Sequence, residues 1–388
     1  MVIGLLGFEF QSSNKGCEAL SYTVMPILEN TGKELTIIVF NIHEDLGEIP
    51  LLYPDIRFEN VPIHMKSPQF WLDFIAAIKR CDYVLDITHG DSFSDIYGKR
   101  WFDKTCLLKE LTNAINGKLI LMPQTYGPYL SNHSLRKAKK IVDNSYVVFS
   151  RDEASTAFLR DQLKCNRQIT TTCDLAFMLP YNAVTFDHNK INIGLNISGL
   201  LWNLERGKNP NQISLKVDYQ SFCRQLIEYL HNEGKYQIHL VPHVLCDERE
   251  GADFFDNDCS AIRQLMGEYP FCQYAGNFST VSDAKNYIAG LDVLLAARMH
   301  ASIGAFSAGI CSLPFAYSRK FEGVYNDLHY PYLIDGEHTT TEVALTKAKE
   351  YIQNFETIAS FAKEKMGEIE SKHNVFIKVL YDCMGVSQ

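Results

Sequence analysis

The pattern between residues 291 and 323 constrains the fold of this chain more than any other. Residues 291–297 form a largely apolar run, and this run ends at Arg298. Small residues follow over 301–308, and a second apolar run covers 310–317. Short apolar runs are typical of buried strands, whereas the small residues between them fit a helix. The stretch therefore predicts a β-α-β unit within a mostly parallel sheet.

Cationic and titratable side chains follow both predicted strands. Arg298 and His300 follow the first strand, and Arg319 and Lys320 follow the second. Ligands bind at the carboxyl ends of strands in open α/β sheets, and a helix amino terminus at that edge favours anions. The four side chains therefore predict a site for a small, highly anionic substrate. Taken singly, Arg298 also fits a structural ion pair, and His300 fits a buried residue of the first helical turn.

Length and charge limit the classes of function. The chain has 388 residues, a length typical of two domains. Its net charge is −9, from 37 basic and 46 acidic side chains. Because phosphate binding leaves a basic footprint, this balance argues against nucleic acid as a partner. It is compatible with a basic pocket that is confined to one site.

The 11 cysteines are isolated along the sequence, with no CxxC pair and no Cys/His spacing of a zinc site. An odd and scattered set is typical of reduced thiols in the cytosol. The apolar start of the chain is too short for a signal peptide, and no apolar stretch is long enough to span a membrane. We therefore expect a cytoplasmic protein.

Strands and helices alternate along the chain, which predicts an α/β fold with mostly parallel sheets. We predict one α/β domain over 1–180 and a second over 190–340, with polar, turn-rich residues between them. The charged segment 341–388 is predicted to be helical. The predicted strands are 2–6, 35–40, 83–87, 118–122 and 146–149 in the first domain, and 191–197, 237–242, 291–297 and 310–317 in the second.

Carboxylates follow one of the predicted strands of the first domain. Asp91 and Asp95 come after the strand at 83–87, and carboxylates at a strand end accept hydrogen bonds from sugar hydroxyls or act as general bases. Capping of a helix by Asp91 or Ser92 is the alternative. The loop at 7–17 lacks a GxGxxG sequence, which argues against a dinucleotide site.

Four more polar residues stand near strand ends and are candidates for a ligand site. Gln124 offers both a donor and an acceptor, and Arg151 follows the strand at 146–149. Asp174 lies at the end of the first domain, and His243 ends a strand of the second. A simple ion pair is the alternative for Arg151, and a structural role is the alternative for His243.

Taken in order, these segments resemble the polysaccharide pyruvyl transferase family. The resemblance covers most of the chain and depends on the order and spacing of several short motifs. These are Asn14-Lys15-Gly16-Cys17-Glu18-Ala19, Gly90-Asp91, Gln124 to Pro128, Ser150-Arg151-Asp152 with Ser155, Thr172 to Phe177, Arg298-Met299-His300 and Tyr317 to Lys320. The sequence departs from the family pattern at His89, where a second Gly is common, and at Cys17, where Asp is common.

The resemblance implies a glycosyltransferase-B-like fold with two Rossmann-like domains that face a cleft. It implies transfer of the carboxyvinyl unit of phosphoenolpyruvate, the co-substrate, to a sugar as a ketal. The acceptor is then a sugar of a capsular, exopolysaccharide or cell-wall repeat unit, carried on a lipid at the inner membrane face. We expect no metal and no other cofactor, because cationic side chains can neutralise the donor.

The chemistry and the resemblance together assign roles to the candidate residues. His300 is expected to be the acid catalyst beside Arg298, because histidine donates protons near neutral pH. The expected donor-binding residues are Arg298, Lys320, Arg151, Gln124 and Arg319. The expected acceptor-binding residues are Asn14, Gly16, Glu18, Asp91, Asp95, Asp174 and His243.

Two other functions stay open at this point. A glycosyltransferase that uses a nucleotide-sugar donor has the same architecture, and it binds a nucleoside diphosphate instead of phosphoenolpyruvate. A non-catalytic carbohydrate-binding or regulatory protein is the third reading, although such a protein has no need to keep Arg298, His300 and Lys320 together. Because the chain is acidic overall, we expect only transient contact with the anionic inner face of the membrane.

Overall fold

A computed structural model describes residues 1–187, 189–204, 213–245 and 255–386 of the chain. These residues divide into two compact units. The first unit comprises Met1–Ser12, Leu20–Leu175 and Ile369–Gln388, and the second comprises Ser13–Ala19 and Ala176–Glu368. In the described part of the chain, no helix has the length and apolar character that a membrane span requires.

The first unit is built around one parallel sheet. Its described strands are β1 (Val2–Leu6), β2 (Thr36–Asn41), β3 (Arg57–Pro62), β4 (Tyr83–Asp86), β5 (Leu119–Leu121), β6 (Val147–Ser150) and β7 (Ile169–Thr171). The helices that begin in the first half of the chain are α1 (Lys15–Glu29), α2 (Ile49–Leu52), α3 (Pro68–Arg80), α4 (Lys99–Ile115), α5 (Asn132–Asn144) and α6 (Glu153–Ala157). The strand order is β3-β2-β1-β4-β5-β6-β7, so the direction of the order reverses between β1 and β4. In such sheets ligands bind at this switch point.

The second unit repeats the same topology. Its described strands are β8 (Ile191–Asn196), β9 (Tyr236–Val241), β10 (Gln273–Tyr274), β11 (Val293–Ala296), β12 (Cys311–Ala316) and β13 (Ile334–Asp335). The remaining helices are α7 (Gly199–Trp202), α8 (Tyr219–Asn232), α9 (Asp258–Glu268), α10 (Val281–Ala289), α11 (Met299–Ser307), α12 (Arg319–Asp327), α13 (Thr341–Gln353) and α14 (Phe355–Met384). The strand order is β10-β9-β8-β11-β12-β13, so the switch point lies between β8 and β11.

Apolar side chains fill both faces of the sheets, as expected for parallel strands that helices cover on both sides. In the first unit Phe40 of β2 packs against Phe74 of α3, with ring centroids 5.0 Å apart. In the second unit Leu294 of β11 packs in one cluster with Ile288 of α10 and Ala301 of α11. This burial positions the strand ends, and therefore the loops that follow them.

The α/β architecture, the parallel sheets and the helical end of the chain are confirmed. The β-α-β unit predicted over 291–317 corresponds to β11, α11 and β12, and Gly309 takes a positive φ of 70° after the helix. The apolar patterns did not predict strands β3, β7, β10 and β13. Strand β3 contains Arg57, Glu59 and Asn60, β7 has 3 residues, and β10 and β13 have 2 each, so none of them shows an apolar run.

His239 in β9 couples the stability of the second unit to pH. Its side chain is buried, with Nδ1 at 2.8 Å from the Tyr287 hydroxyl and Nε2 at 3.1 Å from Oδ1 of Asn192. Burial lowers the pKa of His239 from 6.5 to about 4. Between these two pH values the unfolded chain binds a proton that the folded chain does not. The free energy of unfolding therefore falls as the pH falls through this window, by up to about 1.4 kcal/mol per pH unit.

We predict that the melting temperature of His239→Gln falls less steeply than that of wild type between pH 6.5 and about 4. Glutamine keeps a hydrogen-bond donor and an acceptor in its side chain, but it takes up no proton in this range. The same substitution at the exposed His338 is the control and should keep the wild-type slope. Parallel curves for His239→Gln and wild type would show that another group controls the acid transition.

Candidate active site

The turn between β11 and α11 places Arg298 and His300 at the switch point of the second sheet. Arg298 is the N-cap residue of α11, and its backbone N–H donates to Oδ1 of Asn196 at 2.8 Å. Asn196 ends β8, the strand on the other side of the switch point. His300 lies in the first turn of α11. Both residues therefore stand where sheets of this topology bind ligands.

The guanidinium of Arg298 is buried between two aspartates. Nε and Nη2 donate to Asp258 at 3.1 and 2.6 Å, and Nη2 also donates to Oδ1 of Asp256 at 2.5 Å. Burial alone would lower the pKa of Arg298, but the two carboxylates outweigh it and hold this pKa well above its ordinary value. Arg298 is therefore always charged, and its Nε–Nη2 edge is committed to protein carboxylates.

Asp258, the first residue of α9, joins three loops at this edge of the sheet. Its Oδ2 accepts the backbone N–H groups of His243 and Val244, each at 2.9 Å, and its Oδ1 accepts the N–H of Gly199 at 2.8 Å. These donors follow β9 and β8, whereas Arg298 follows β11. Because the Asp258 side chain is fully buried, these donors replace water around its charge.

The segment Ser13–Ala19 belongs to the second unit, although its sequence position lies within the range predicted for the first domain. The backbone N–H of Lys15 donates to the carbonyl of His243 at 3.0 Å. Gly16 lies so close to His300 that a Cβ at this position would overlap the imidazole. The structure thus groups the predicted residues Asn14, Gly16 and Glu18 with His300 and His243.

Three titratable side chains surround a cavity of about 10 Å³ in the second unit: His243, Lys285 and His300. Burial, reinforced by the nearby charges of His300, Arg298 and Lys15, lowers the pKa of His243 well below its ordinary value. Burial also lowers the pKa of Lys285 to about 7, and its ammonium group donates to a backbone carbonyl of the second unit. His243 is therefore neutral at neutral pH. Lys285 was not predicted, because a single lysine in an amphipathic helix has no distinguishing pattern.

Two lysines, Lys15 and Lys320, also lie near the carboxyl ends of the strands of the second sheet. Nζ of Lys15 lies 2.9 Å from Oε2 of Glu18, and both side chains are buried. Burial raises the pKa of Asp256, and the charges of Arg298 and Lys320 oppose that rise. Lys320 therefore lies within electrostatic reach of the same carboxylate that Arg298 binds. The side chain of Arg319, another predicted donor ligand, lies outside the described part of the chain.

Three other candidates form a buried polar group in the first unit. Nη1 of Arg151 donates to Oδ2 of Asp174 at 2.9 Å, and Nε2 of Gln124 donates to the carbonyl of Asp86 at 3.1 Å. Nε and Nη2 of Arg151 and Oε1 of Gln124 are buried, and among the described residues they have no hydrogen-bond partner. The ion pair considered for Arg151 from the sequence is thus present.

The carboxylates of Asp91 and Asp95 are engaged by groups of their own unit. Asp91 accepts a hydrogen bond from the Tyr97 hydroxyl at 2.7 Å, and Asp95 accepts one from the Leu130 N–H at 2.7 Å. The segment contains two short 3-10 turns instead of an α-helix, so the two aspartates do not share a helix face. The residue that caps the second turn is Ser94 rather than Asp91.

We predict that Gly16→Ala displaces the His300 ring. The new Cβ would overlap the imidazole, so either the ring or the segment at 13–19 must shift. The measurement is an NMR spectrum of labelled imidazoles, in which His300→Gln assigns the His300 signals. Gly304→Ala in the same helix is the control, because the nearest atom to its Cβ is 3.9 Å away. Unchanged His300 signals in Gly16→Ala would exclude this contact.

Comparison with protein families gives one match. The family model described as polysaccharide pyruvyl transferase matches residues 14–319, a range that contains both the segment at 14–19 and the turn with Arg298 and His300. Among curated proteins, none matches the sequence significantly.

Several crystal structures are similar to this chain over nearly its full length. A glycosyltransferase from Rickettsia africae has 12% sequence identity and a TM-score of 0.60, covering 100% of this chain and 99% of that chain. HepE from Anabaena, in complex with UDP and glucose, has 14% identity and a TM-score of 0.60, covering 98% and 100%. UDP-GlcNAc 2-epimerase from Neisseria meningitidis, bound to UDP-GlcNAc, has 10% identity and a TM-score of 0.59, covering 98% and 99%. The expected glycosyltransferase-B-like fold is thus confirmed.

Proposed function

We propose that this chain, which belongs to the polysaccharide pyruvyl transferase family, moves the carboxyvinyl unit of phosphoenolpyruvate onto two hydroxyls of a sugar as a ketal and releases phosphate. Family membership makes it a transferase of polysaccharide biosynthesis. The observation that carries the finer proposal is the turn that presents Arg298 and His300 at the switch point of the second sheet. Phosphoenolpyruvate combines a carboxylate and a phosphate, and the planar guanidinium of arginine suits both groups.

The proposed reaction begins with transfer of a proton from protonated His300 to the methylene carbon of phosphoenolpyruvate. One sugar hydroxyl attacks the adjacent carbon and loses its proton. Phosphate then leaves with the electron pair of its C–O bond, and a second hydroxyl attacks the same carbon and closes the ketal. Of the two hydroxyl protons, one restores His300 and the other stays on the phosphate. The steps are redox-neutral, and in this proposal side chains rather than a metal or another cofactor neutralise the donor.

Two of the cations at this site are already paired with carboxylates. Arg298 contacts Asp256 and Asp258, and Lys15 contacts Glu18. An anion that binds the Nε–Nη2 edge of Arg298 therefore needs this edge to be released from a carboxylate. Asp256 is suited to this release, since its side chain is 26% exposed and that of Asp258 is 0% exposed. We propose that Asp256 leaves Arg298 when the donor binds and that Asp258 keeps its contact.

A sugar of a cell-surface polysaccharide, or of its lipid-linked precursor, is the proposed acceptor. The family description supports an acceptor of this class. A lipid-linked precursor would bring the enzyme to the inner face of the membrane, and the acidic chain would make this contact transient.

The test is thermal unfolding of the full chain with phosphoenolpyruvate, UDP, GDP or buffer. We expect phosphoenolpyruvate alone to stabilise wild type, by about 2.7 kcal/mol at 100 times its dissociation constant. Arg298→Lys should reduce this shift, because lysine keeps the charge but lacks the planar fork. Lysine is preferable to alanine here, since alanine would leave the buried Asp258 without its cation.

Arg160→Lys is the matched control, because Arg160 is exposed and lies in the first unit. It should keep the full shift with phosphoenolpyruvate. Stabilisation by UDP or GDP but not by phosphoenolpyruvate would favour a nucleotide-sugar glycosyltransferase and exclude the ketal mechanism. No shift with any of these ligands would favour the non-catalytic alternative.

A further inference from the structure

The first unit contains a cavity of about 430 Å³ at the switch point of its sheet. Leu6 and Asp86, the last residues of β1 and β4, both line it, and these two strands flank the switch point. Sheets of this topology bind ligands at this position. The volume is within the range of small-molecule sites, roughly 300–1,000 Å³. No predicted donor-binding or acceptor-binding residue with a described side chain lines the cavity, so its ligand has to be inferred from other residues.

Several polar side chains of the cavity already have partners within the first unit. Asp86 forms a buried ion pair with Lys109 at 3.1 Å, and it accepts a hydrogen bond from the Thr88 hydroxyl at 2.8 Å. The Thr105 hydroxyl donates to a backbone carbonyl at 3.0 Å. Nε2 of His64 lies 2.8 Å from a carboxylate oxygen of an exposed glutamate. These groups need no ligand to satisfy them.

Three other side chains of the cavity offer hydrogen-bonding groups to a ligand: Glu9, His89 and Trp101. Nδ1 of His89 lies 3.5 Å from Oε1 of Glu9, and the two side chains are only 14% and 13% exposed. Nε1 of Trp101 is buried and has no hydrogen-bond partner among the described residues. A buried N–H without a partner is costly, so an acceptor that a ligand supplies would stabilise the complex. Lys66 and Lys104 also line the cavity, but both are exposed to water.

The backbone at His89 is strained, which indicates a use for its side chain. Its φ is 54°, a left-handed conformation that glycine adopts freely and other residues adopt at a cost. The backbone N–H of His89 donates to the carbonyl of Gly7, the residue after β1, at 3.1 Å. Its ring packs against the ring of Trp101, with centroids 5.5 Å apart. The turn therefore places the imidazole beside both Glu9 and Trp101.

The remaining walls of the cavity are apolar. Ile42 is 52% exposed, and Ile63 and Met65 are partly exposed. Phe8 and Phe40 are buried and line the cavity as well. A ligand that carries hydroxyls alone would place polar groups without partners against this surface, whereas an alkyl group would remove apolar area from water.

We propose that Glu9, His89 and Trp101 make this cavity selective for the acylamino group of an N-acylated amino sugar. This group combines an N–H donor, a carbonyl acceptor and an apolar alkyl end. The N–H donates to the Glu9 carboxylate, which His89 orients, and the carbonyl accepts the indole N–H of Trp101. The alkyl end covers the apolar wall. A free amine is disfavoured, because it adds a positive charge beside two exposed lysines.

The inference rests on the proposed function in one respect, since it makes this amino sugar the acceptor. Binding of the sugar itself requires neither phosphoenolpyruvate nor turnover. The sugar can therefore be tested by itself, and the two proposals can fail separately.

The test is NMR titration of the full chain, with nitrogen-labelled tryptophan, against N-acetylglucosamine, N-acetylmannosamine, N-acetylgalactosamine, the matching hexoses and glucosamine. We expect at least one N-acetylhexosamine to bind at least about tenfold more tightly than its hexose. The same sugar should move the indole N–H signal of Trp101, because this N–H gains an acceptor. The signal of Trp202 should stay, since its indole N–H already donates to Gln264 at 2.9 Å in the second unit.

Two variants test the residues that carry the selectivity. Trp101→Phe keeps an aromatic ring but lacks the N–H, so it should weaken N-acetylhexosamine binding about three- to tenfold. Trp202→Phe is the matched control and should bind as wild type does. His89→Gly removes the imidazole and relieves the strained φ. It should reduce the preference for N-acetylhexosamine over hexose and yet melt at a higher temperature than His89→Ala.

Three outcomes would overturn the proposal. The first is equal affinity of wild type for N-acetylhexosamines and hexoses, or binding of neither. The second is tighter binding of glucosamine, which would indicate an ammonium site. The third is an unchanged preference in both Trp101→Phe and His89→Gly, which would place the sugar elsewhere. The phosphoenolpyruvate-induced thermal shift of wild type tests the proposed function independently, because Arg298 and His300 lie in the second unit.

Discussion

The buried carboxylate of Asp258 is the interaction on which the candidate active site depends. It binds backbone N–H groups after β8 and β9 and the guanidinium after β11. Three separate loops therefore share one acceptor, and none of them can move far without leaving a buried charge without a donor. Such an arrangement fixes the positions of Arg298 and His300 before any ligand arrives. This prior order is what binding of a small anion requires.

The same interaction limits what Arg298 can offer to a ligand. Its Nε–Nη2 edge is occupied by Asp258 and Asp256, so a donor anion can approach only the remaining Nη1 unless Asp256 withdraws. The two aspartates differ in exposure, and this difference separates a permanent structural contact from a replaceable one. An arginine that looks like a simple anion clamp in the sequence is therefore also a structural part of the sheet edge.

The sequence predicts those strands and helices that a local pattern of apolar residues determines. Two apolar runs with small residues between them predicted β11, α11 and β12, so Arg298 and His300 could be assigned to a strand end. Asp258 could not be found in this way, because it lies 40 positions before Arg298 and only the strand order brings the two together. The close approach of Gly16 to His300 could not be predicted either, because it depends on glycine having no side chain. The sequence predicts Asp95 as an acceptor-binding residue, and it does not show that the N–H of Leu130 donates a hydrogen bond to this carboxylate.

Each unit has a switch point, and the two differ in chemistry although the topology is the same. The edge between β8 and β11 carries histidines, lysines and carboxylates, of which His243, Lys285 and Asp258 are buried, and this set suits a small polar reactant. At the edge between β1 and β4, a cavity of about 430 Å³ has mainly apolar walls, although Glu9, His89 and Lys104 also line it. Topology alone therefore does not decide what a Rossmann-like sheet binds; the side chains after its strands do. Because the two sets of residues lie in different units, ligand binding at each edge can be tested with its own substitutions.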